Sequence, residues 1–544
     1  MSRSYILHRG ALPGAAAGAV GGLALGAAMH QMGMLLTVAS LIRSASVEAG
    51  FAVIVFIAVI LGAGFGMLVC RQRLETGEML FWGLTYGALW WFLGPLTLAP
   101  LLQQGGAAWT IGSAQASFSS LLGLLWYGAV TALAYAAIGP RVSRERARVT
   151  AGTFVGGMLA GLAGAWLLGG LVGAQARWLG DARLGHLSPH PMGPLLPEIG
   201  ILAGGAFALL YPRLRDGTGP TLIRGTAFGF FCWIVGALTV LPEIEGMGLA
   251  WSLDAARGRF PLLPAFLLFG AVVAVLYRWL TAAAALLFLD NIEARDEEGV
   301  GTRGLRAVGR GALGGLIGGL VFTIIMVRIG VLPIIGQIVG ASSPWSGFIV
   351  HLVIANIIGA TFGLLFLGRS VDIGSAVGWG VSYGFFWWIL GPLTLLPILL
   401  GTAPRWTADV AGALIPSLVG HLAYGAALGV TFYLLEARHN PWWISHSEAD
   451  SIRVERRREQ VLTSAPALWA LVIVVALTLP VVLTCGMPPA PSGYSMSSRG
   501  TGYGRDGPDT RLQLPGGPST AYGSAGGTTS CGQGAPGSGA PHQP

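Results

Sequence analysis

The sequence predicts an all-α integral membrane protein built from three tandem parallel four-helix repeats, a thirteenth helix and a disordered tail. Three observations predict this fold. Hydrophobic residues make up 53% of the 544-residue chain and charged residues only 10%, whereas soluble domains carry roughly a quarter charged residues. Apolar runs long enough to cross a membrane recur along the chain. One sequence pattern occurs three times, at Trp82–Leu102, Arg224–Ile244 and Trp379–Leu399.

The apolar runs set the predicted number of helices. A hydrocarbon core of about 30 Å needs about 20 helical residues, and four runs of the first repeat reach this length, near 14–36, 49–70, 80–102 and 117–138. Only helices and closed barrels satisfy the backbone polar groups in lipid, and the runs do not alternate with period two, so helices are predicted. Three repeats give twelve helices, and the run at 465–484 is the predicted thirteenth.

The repeat emerges when the chain is compared with itself at two fixed offsets. Trp109 coincides with Trp251 at an offset of 142 residues and with Trp406 at an offset of 297. Because both offsets hold without gaps, one structural unit is predicted three times. Four helices per unit mean that all units enter the membrane from the same side, unlike inverted transporter repeats. We therefore expect residues 14–138, 156–280 and 311–435 to superpose in the same orientation.

These boundaries divide the chain into membrane segments, charged linkers and a tail. The segments are repeat 1 at 1–138, a basic cytoplasmic linker at 139–155, repeat 2 at 156–280, a charged cytoplasmic connector at 281–310, repeat 3 at 311–435, a charged cytoplasmic linker at 436–464, helix 13 at 465–484 and the tail at 485–544. Gly, Pro and Ser dominate the tail. Such a segment cannot bury enough apolar surface to offset its chain entropy, so disorder is predicted.

Arginine sets the predicted orientation, because lysine is absent and all 32 basic residues are arginine. With a cytoplasmic N-terminus, 22 arginines fall in cytoplasmic segments and six in outer loops. The positive-inside rule then favours a plasma (cell inner) membrane protein with a cytoplasmic N-terminus and an external tail. This asymmetry also explains the net charge of +8. The lipid bilayer is therefore the predicted partner, and no nucleic acid is expected.

The third helix of each repeat carries the same five residue types within an arc of about 120°. Glycines four residues apart let another backbone approach closely, and helix association in lipid depends on such packing. The signature therefore predicts a tight interhelical seam. The alternative is a helix broken at Pro95 and Pro392 to line a cavity, although Ala237 replaces proline in the second repeat. The packing signature comprises Gly83, Gly87, Trp91, Gly94, Thr97, Gly225, Gly229, Trp233, Gly236, Thr239, Gly380, Gly384, Trp388, Gly391 and Thr394.

Polar side chains inside the predicted helices are the candidate solute-binding residues, because ionisable groups in lipid are costly and often functional. Mapped onto one repeat, they all fall in the outer third of the membrane, as a polar vestibule on a pseudo-threefold axis requires. In the alternative, each group reaches the outer surface independently or caps a helix. The candidates are His30, Glu198, Arg328, His351, Asn356 and His421.

Motifs of soluble catalysis are missing from the sequence. It contains no phosphate loop, dinucleotide fingerprint, zinc-protease motif or nucleophile elbow. No paired histidine spacing supports a metal site. We therefore predict no catalytic residue, metal or cofactor.

Three functions remain open from the sequence. The first is binding or translocation of a small solute or ion through the outer vestibule. The second is a non-catalytic membrane scaffold or anchor for a partner in a redox or envelope complex. The third is a membrane enzyme acting on a lipid or quinone, for which Glu198 with His351 or His421 is the candidate pair. Convergence of the six polar residues on one water-accessible cavity distinguishes the first function from the second.

Overall fold

The chain is an all-α, multi-pass membrane protein. The computed structural model describes residues 10–72, 74–139, 150–179, 196–212, 217–288, 300–404, 406–437, 451, 454 and 465–485. These residues form helices without a strand, and eleven of the helices are long and apolar enough to cross a membrane. The predicted all-α membrane class is confirmed. The predicted basic linker falls mostly, and the predicted tail almost wholly, outside the described residues.

Thirteen helices lie at the positions of the thirteen predicted spans. The first four are α1 Leu12–Gln31, α2 Val47–Val69, α3 Thr76–Leu93 and α4 Phe118–Ile138. The next four are α5 Ala151–Leu179, α6 Leu196–Leu210, α7 Thr218–Cys232 and α8 Leu262–Phe288. The last five are α9 Val300–Arg328, α10 Pro344–Leu365, α11 Ile373–Leu390, α12 Ile415–Ala437 and α13 Ala465–Thr484. Neither α3 nor α6 is among the eleven candidate spans.

Side-chain caps fix where several of these helices begin. The Ser46 side chain accepts from the Ala49 N–H at the start of α2, and the Ser343 side chain accepts from the Ser346 N–H at the start of α10. A capping hydroxyl satisfies one of the backbone donors that the first turn leaves free. Helix α11 begins with the same chemistry, because the Asp372 carboxylate accepts from the Ser375 N–H at 2.7 Å.

The helices α3, α7 and α11 each continue into a π-helical segment. These segments are Gly94–Leu98, Trp233–Val240 and Gly391–Leu395. Proline stands inside two of them and lacks the backbone donor that an α-helical turn requires. The segment after α7 has Ala237 instead and is the longest. Proline is therefore not required for this interruption, which π geometry accommodates without ending the helix.

The twelve helices α1 to α12 pack as three groups of four with the same pairings in each group. The first helix packs against the second and the fourth, and the third packs against the fourth. Neighbouring groups meet where α3 contacts α6 and where α7 contacts α10. In each group a short helix precedes the fourth long helix. These short helices are Ile111–Ala116, Leu253–Gly258 and Ala408–Ala413.

Helix α13 lies where the three groups meet. It packs against α3, α7 and α11 and against all three short helices. Leu468, Ala476 and Leu483 are completely buried, and Trp469 packs edge-on against Trp379 with ring centroids 5.1 Å apart. The space between the third helices of the groups is therefore filled by an apolar helix along its described length.

Candidate functional site

Two of the six candidate solute-binding residues lie together. His351 on α10 and His421 on α12 both pack against the ring of Phe322 on α9, with centroid separations of 5.4 and 4.7 Å. The His351 Nε2–H donates to Gly319 O at 3.0 Å, and the His421 Nδ1–H donates to Ser417 O at 2.8 Å. Each imidazole is thus held by a backbone carbonyl, and an aromatic ring contacts both of them.

Asn356 lies on α10 and binds the neighbouring helix. Its Nδ2 donates to Ala312 O on α9 at 3.3 Å. The bond from His351 to Gly319 joins the same two helices. Polar bonds between membrane helices stabilise their pairing by about 0.6–2 kcal/mol each. The contacts of Asn356 and His351 therefore serve the packing of α9 against α10.

The other three candidate residues lie at exposed helix ends. His30 is in the last turn of α1, Glu198 in the first turn of α6 and Arg328 in the last turn of α9. All three are solvent- or lipid-exposed in the described chain. A carboxylate in a first turn and a cation in a last turn are both favoured by the helix dipole. Their positions therefore agree with the alternative of independent surface groups.

Glycines of the packing signature lie directly against a neighbouring backbone. A Cβ added at Gly83 would collide with Gly128 O on α4, and a Cβ added at Gly87 would collide with Leu124 O. Gly94 differs, because no atom lies within 4 Å of the position that its Cβ would take. The glycines that repeat the close approach are Gly225 against Gly270, Gly229 against Phe266, Gly380 against Gly425 and Gly384 against His421.

The signature tryptophans bind the turn that precedes the fourth helix. Trp91 is completely buried, and its Nε1 donates to Ser117 O at 3.0 Å. The same bond recurs in the other two groups, from Trp233 to Arg259 O and from Trp388 to Leu414 O, both at 3.2 Å. This repeated bond is structural, because each indole is buried and donates to a backbone carbonyl of its own group.

The signature threonines complete the π segments. The Thr97 hydroxyl donates to Phe92 O at 2.6 Å and accepts from Trp109 Nε1 at 3.0 Å. A threonine hydroxyl thereby satisfies a carbonyl five residues earlier. The same two bonds join Thr239 to Ile234 O and Trp251, and Thr394 to Ile389 O and Trp406.

Two of the tryptophans that donate to these threonines differ in burial, so mutating them should have different effects on stability. Trp406 is 0% exposed and Trp109 is 75% exposed, although their bonds to threonine have nearly equal length. Trp406→Phe should lower the free energy of unfolding by about 1–3 kcal/mol, because a buried polar group loses its partner. Trp109→Phe should cost less than about 0.5 kcal/mol. Unfolding in mixed detergent micelles, followed by tryptophan fluorescence, measures both values; equal losses would contradict the expectation.

The C-terminal end of α13 is held by side chains from two of the short helices. Gln115 Nε2 donates to Val482 O at 3.0 Å and to Cys485 O at 2.7 Å. Arg257 donates to Leu483 O at 2.8 Å and to Cys485 O at 3.0 Å. The last carbonyls of a helix lack partners within the helix and carry partial negative charge, so an arginine is well suited to them.

A third short helix contacts the same end of α13. A Cβ added at Gly412 would lie 2.9 Å from Thr484 Cβ. Gln115, Arg257 and Gly412 stand at equivalent positions, separated by the offsets of 142 and 297 residues. We call these three residues the α13 clamp. The sequence pattern did not reveal it, because the three residue types differ and their common partner lies outside the repeats.

A buried ion pair joins the first and second groups of helices. Arg224 on α7 donates to a Glu78 carboxylate oxygen on α3 at 3.1 Å, and their side chains are 3% and 10% exposed. Sequence reasoning missed this pair, since 146 residues separate its members. One signal was available: Arg224 occupies the repeat position at which the other units have Trp82 and Trp379.

The described residues contain no group of three or more His, Cys, Asp or Glu side chains that could hold a metal ion. The fold and these contacts define the class of the protein, an all-helical multi-pass membrane protein with dense interhelical packing. No protein family, curated protein or solved structure matches the chain.

Proposed function

We propose that the protein is a non-catalytic membrane scaffold, in which three equivalent four-helix repeats enclose α13 and fix the position at which the chain leaves the membrane. The observation that carries this proposal is the α13 clamp. Gln115 and Arg257 come from different groups of helices and bind the same helix end. Four hydrogen bonds join the end of α13 to segments that are far away in the sequence. These bonds hold that end rigidly in place, as an anchor for a partner complex requires.

Several further features belong to the same proposal. We infer three repeats from the recurrence of the tryptophan and threonine bonds at the sequence offsets. We infer thirteen spanning segments, with α3 and α6 included because their counterparts in the other repeats are long and apolar. The arginine distribution supports a cytoplasmic N-terminus in the plasma membrane. On this topology the clamp lies at the outer membrane face.

Solute translocation through a shared vestibule receives less support. The ionisable candidates His30, Glu198 and Arg328 lie at exposed helix ends, and α13 fills the space between the third helices. His351 and His421 are close, yet each binds a backbone carbonyl within the third group. A membrane enzyme using Glu198 with either histidine receives no support from a contact between these side chains.

The scaffold proposal predicts that the clamp, and not the histidines, governs assembly. Arg257→Ala should lower the free energy of unfolding by about 2–4 kcal/mol, because buried carbonyls lose two hydrogen bonds from a charged group. Arg257→Ala with Gln115→Ala should also dissociate the partner complex that wild-type protein forms in native membranes. Blue native electrophoresis compares the size of that complex with the 56.4 kDa monomer.

A liposome assay with His421→Ala tests the transport alternative. Proteoliposomes with wild-type protein or with this variant should leak ions and small nonelectrolytes no faster than protein-free liposomes. Saturable uptake of one solute that His421→Ala abolishes would overturn the scaffold proposal and favour transport. Migration of wild-type protein from native membranes as the monomer alone would also overturn it.

A further inference from the structure

We propose that the turn at the end of α1 binds Cu(I) through the thioethers of Met29, Met32 and Met34. The scaffold function does not depend on this site, because the site and the α13 clamp share no residue. The three methionines belong to the run MHQMGM at residues 29–34, which thus holds three of the twelve methionines in the chain. Thioethers are soft ligands, and soft ligands select Cu(I) over harder ions.

The backbone of this turn is a Schellman motif, which reverses the chain after α1. The Met34 N–H donates to Met29 O at 2.9 Å, and the Gly33 N–H donates to His30 O at 3.0 Å. Gly33 has a φ of 69°, the left-handed conformation with which such motifs end a helix. These two bonds return Met34 to the last turn of α1. The positions occupied by Met29 and Met34 are those whose side chains characteristically contact each other in this motif.

Met32 lies on the same face of the chain as Met29. Residues three apart on a helix are neighbours, with about 5–6 Å between their Cβ atoms. A methionine side chain has three rotatable bonds, so its sulfur adapts to an irregular site. All three methionines are partly buried, so they are neither locked in the core nor fully in solvent. The turn therefore gathers three adaptable thioethers at one place.

The same turn forms in the third repeat with a single methionine. The Val331 N–H donates to Met326 O at 3.2 Å, as the corresponding groups do in the first repeat. At the offset of 297 residues, Ile329 stands in place of Met32. Val331 itself stands in place of Met34. Branched apolar side chains therefore suffice for the packing of this turn, and its fold does not explain the extra thioethers of the first repeat.

His30 stands between the methionines and is available as a further ligand. Its side chain is exposed at the end of α1. Within the described part of the chain, no group forms a hydrogen bond or an ion pair with its imidazole. A neutral imidazole is also a copper ligand. An ion held by the three thioethers can therefore take His30 without breaking a contact of the protein.

A carboxylate places negative charge beside the same turn. Gln31 Nε2 donates to a Glu243 carboxylate oxygen in the second group of helices. This bond holds the turn against its neighbour. Because Gln31 is neutral, the bond leaves the charge of Glu243 in place, and a negative charge attracts a cation bound nearby.

The ligand set distinguishes Cu(I) from zinc. Zinc sites in proteins use cysteine sulfur, histidine nitrogen and carboxylate oxygen. The described residues contain no group of three or more such side chains that could hold a metal ion. The turn instead combines three uncharged sulfur ligands with one imidazole. We therefore expect it to bind Cu(I) and to leave Zn²⁺ in solution.

Anaerobic titration of the detergent-solubilised protein with Cu(I), in competition with the chromogenic chelator bicinchoninate, tests the proposal. Wild-type protein should withdraw one equivalent of copper from the chelator. The triple variant Met29→Leu, Met32→Leu and Met34→Leu should weaken Cu(I) binding by at least about ten-fold, because even the loss of a group that only supports a ligand costs 10–100-fold. Leucine nearly conserves the volume of methionine, so the variant should elute from gel filtration like wild type.

Met67→Leu and Met326→Leu are the matched controls. Met67 is an exposed methionine of α2, and Met326 is the counterpart of Met29 in the third repeat. Both variants should bind Cu(I) as tightly as wild type, and X-ray absorption of the copper-loaded protein should show sulfur ligands. Absence of Cu(I) binding by wild type, unchanged affinity in the triple variant, or ligation by nitrogen and oxygen alone would overturn the proposal. An equal loss in Met67→Leu, or Zn²⁺ binding as tight as that of Cu(I), would overturn it as well.

Discussion

Arg224→Ala should lower the free energy of unfolding by about 1.5–3 kcal/mol, because the buried Glu78 carboxylate loses a hydrogen bond from a charged group. The two side chains are 3.1 Å apart and almost completely enclosed where α3 meets α7. An ion removed from water is stabilised only by its partner and its hydrogen bonds, so the loss exceeds that of a surface ion pair. Chemical unfolding in mixed micelles measures the change.

The double variant Glu78→Gln with Arg224→Met is the control for this prediction. Glutamine keeps an acceptor for the Glu75 N–H, which Glu78 Oε2 binds at 3.4 Å. The double variant removes both charges of the pair, so it should recover most of the loss. Equal destabilisation in the single and double variants would assign the effect to packing instead of charge.

Gly380→Ala should destabilise the protein by about 3 kcal/mol or more, at the upper limit of overpacking, because the added methyl group collides with the Gly425 backbone carbonyl. The neighbouring backbone has no rotamer through which to move aside. Gly83→Ala should behave similarly against Gly128 on α4. Fluorescence-detected gel filtration after heating gives the fraction of folded protein, and micellar unfolding gives the free energy.

Gly94→Ala is the matched control within the same sequence signature. Its added methyl group would meet no atom within 4 Å, so the free energy of unfolding should change by less than about 0.5 kcal/mol. A loss at Gly94 as large as that at Gly380 would show that the glycines act through backbone conformation. A small change at Gly380 would show that α11 and α12 can separate without cost.

Local sequence features predicted much of the fold because the membrane restricts it. A run of apolar residues near 49–70 can only become a helix, and α2 spans Val47–Val69. Trp91 and Trp388 stand at the same position of the repeated sequence pattern, and both donate to the turn before the fourth helix. Such features depend on residues close in sequence, or on the repetition of one unit.

Contacts between units could not be predicted in the same way. The Glu78 and Arg224 side chains meet only after two groups pack together, and a glutamate in a first helical turn is ordinarily solvated. The six polar candidates share one depth along the membrane normal, but depth does not specify the direction in which a side chain points. His351 and His421 point toward Phe322, whereas Glu198 points outward.

The α13 clamp has a consequence for biogenesis. Ribosomes deliver α1 to α12 to the membrane before α13, yet Gln115 donates to carbonyls at the end of α13, and Arg257 divides its contacts between those carbonyls and Asp254. Until that helix is inserted, the four clamp hydrogen bonds cannot form and the apolar walls of α3, α7 and α11 lack their native partner. The helices α1 to α12 therefore remain loosely packed in the nascent chain, and the insertion of α13 completes the final assembly.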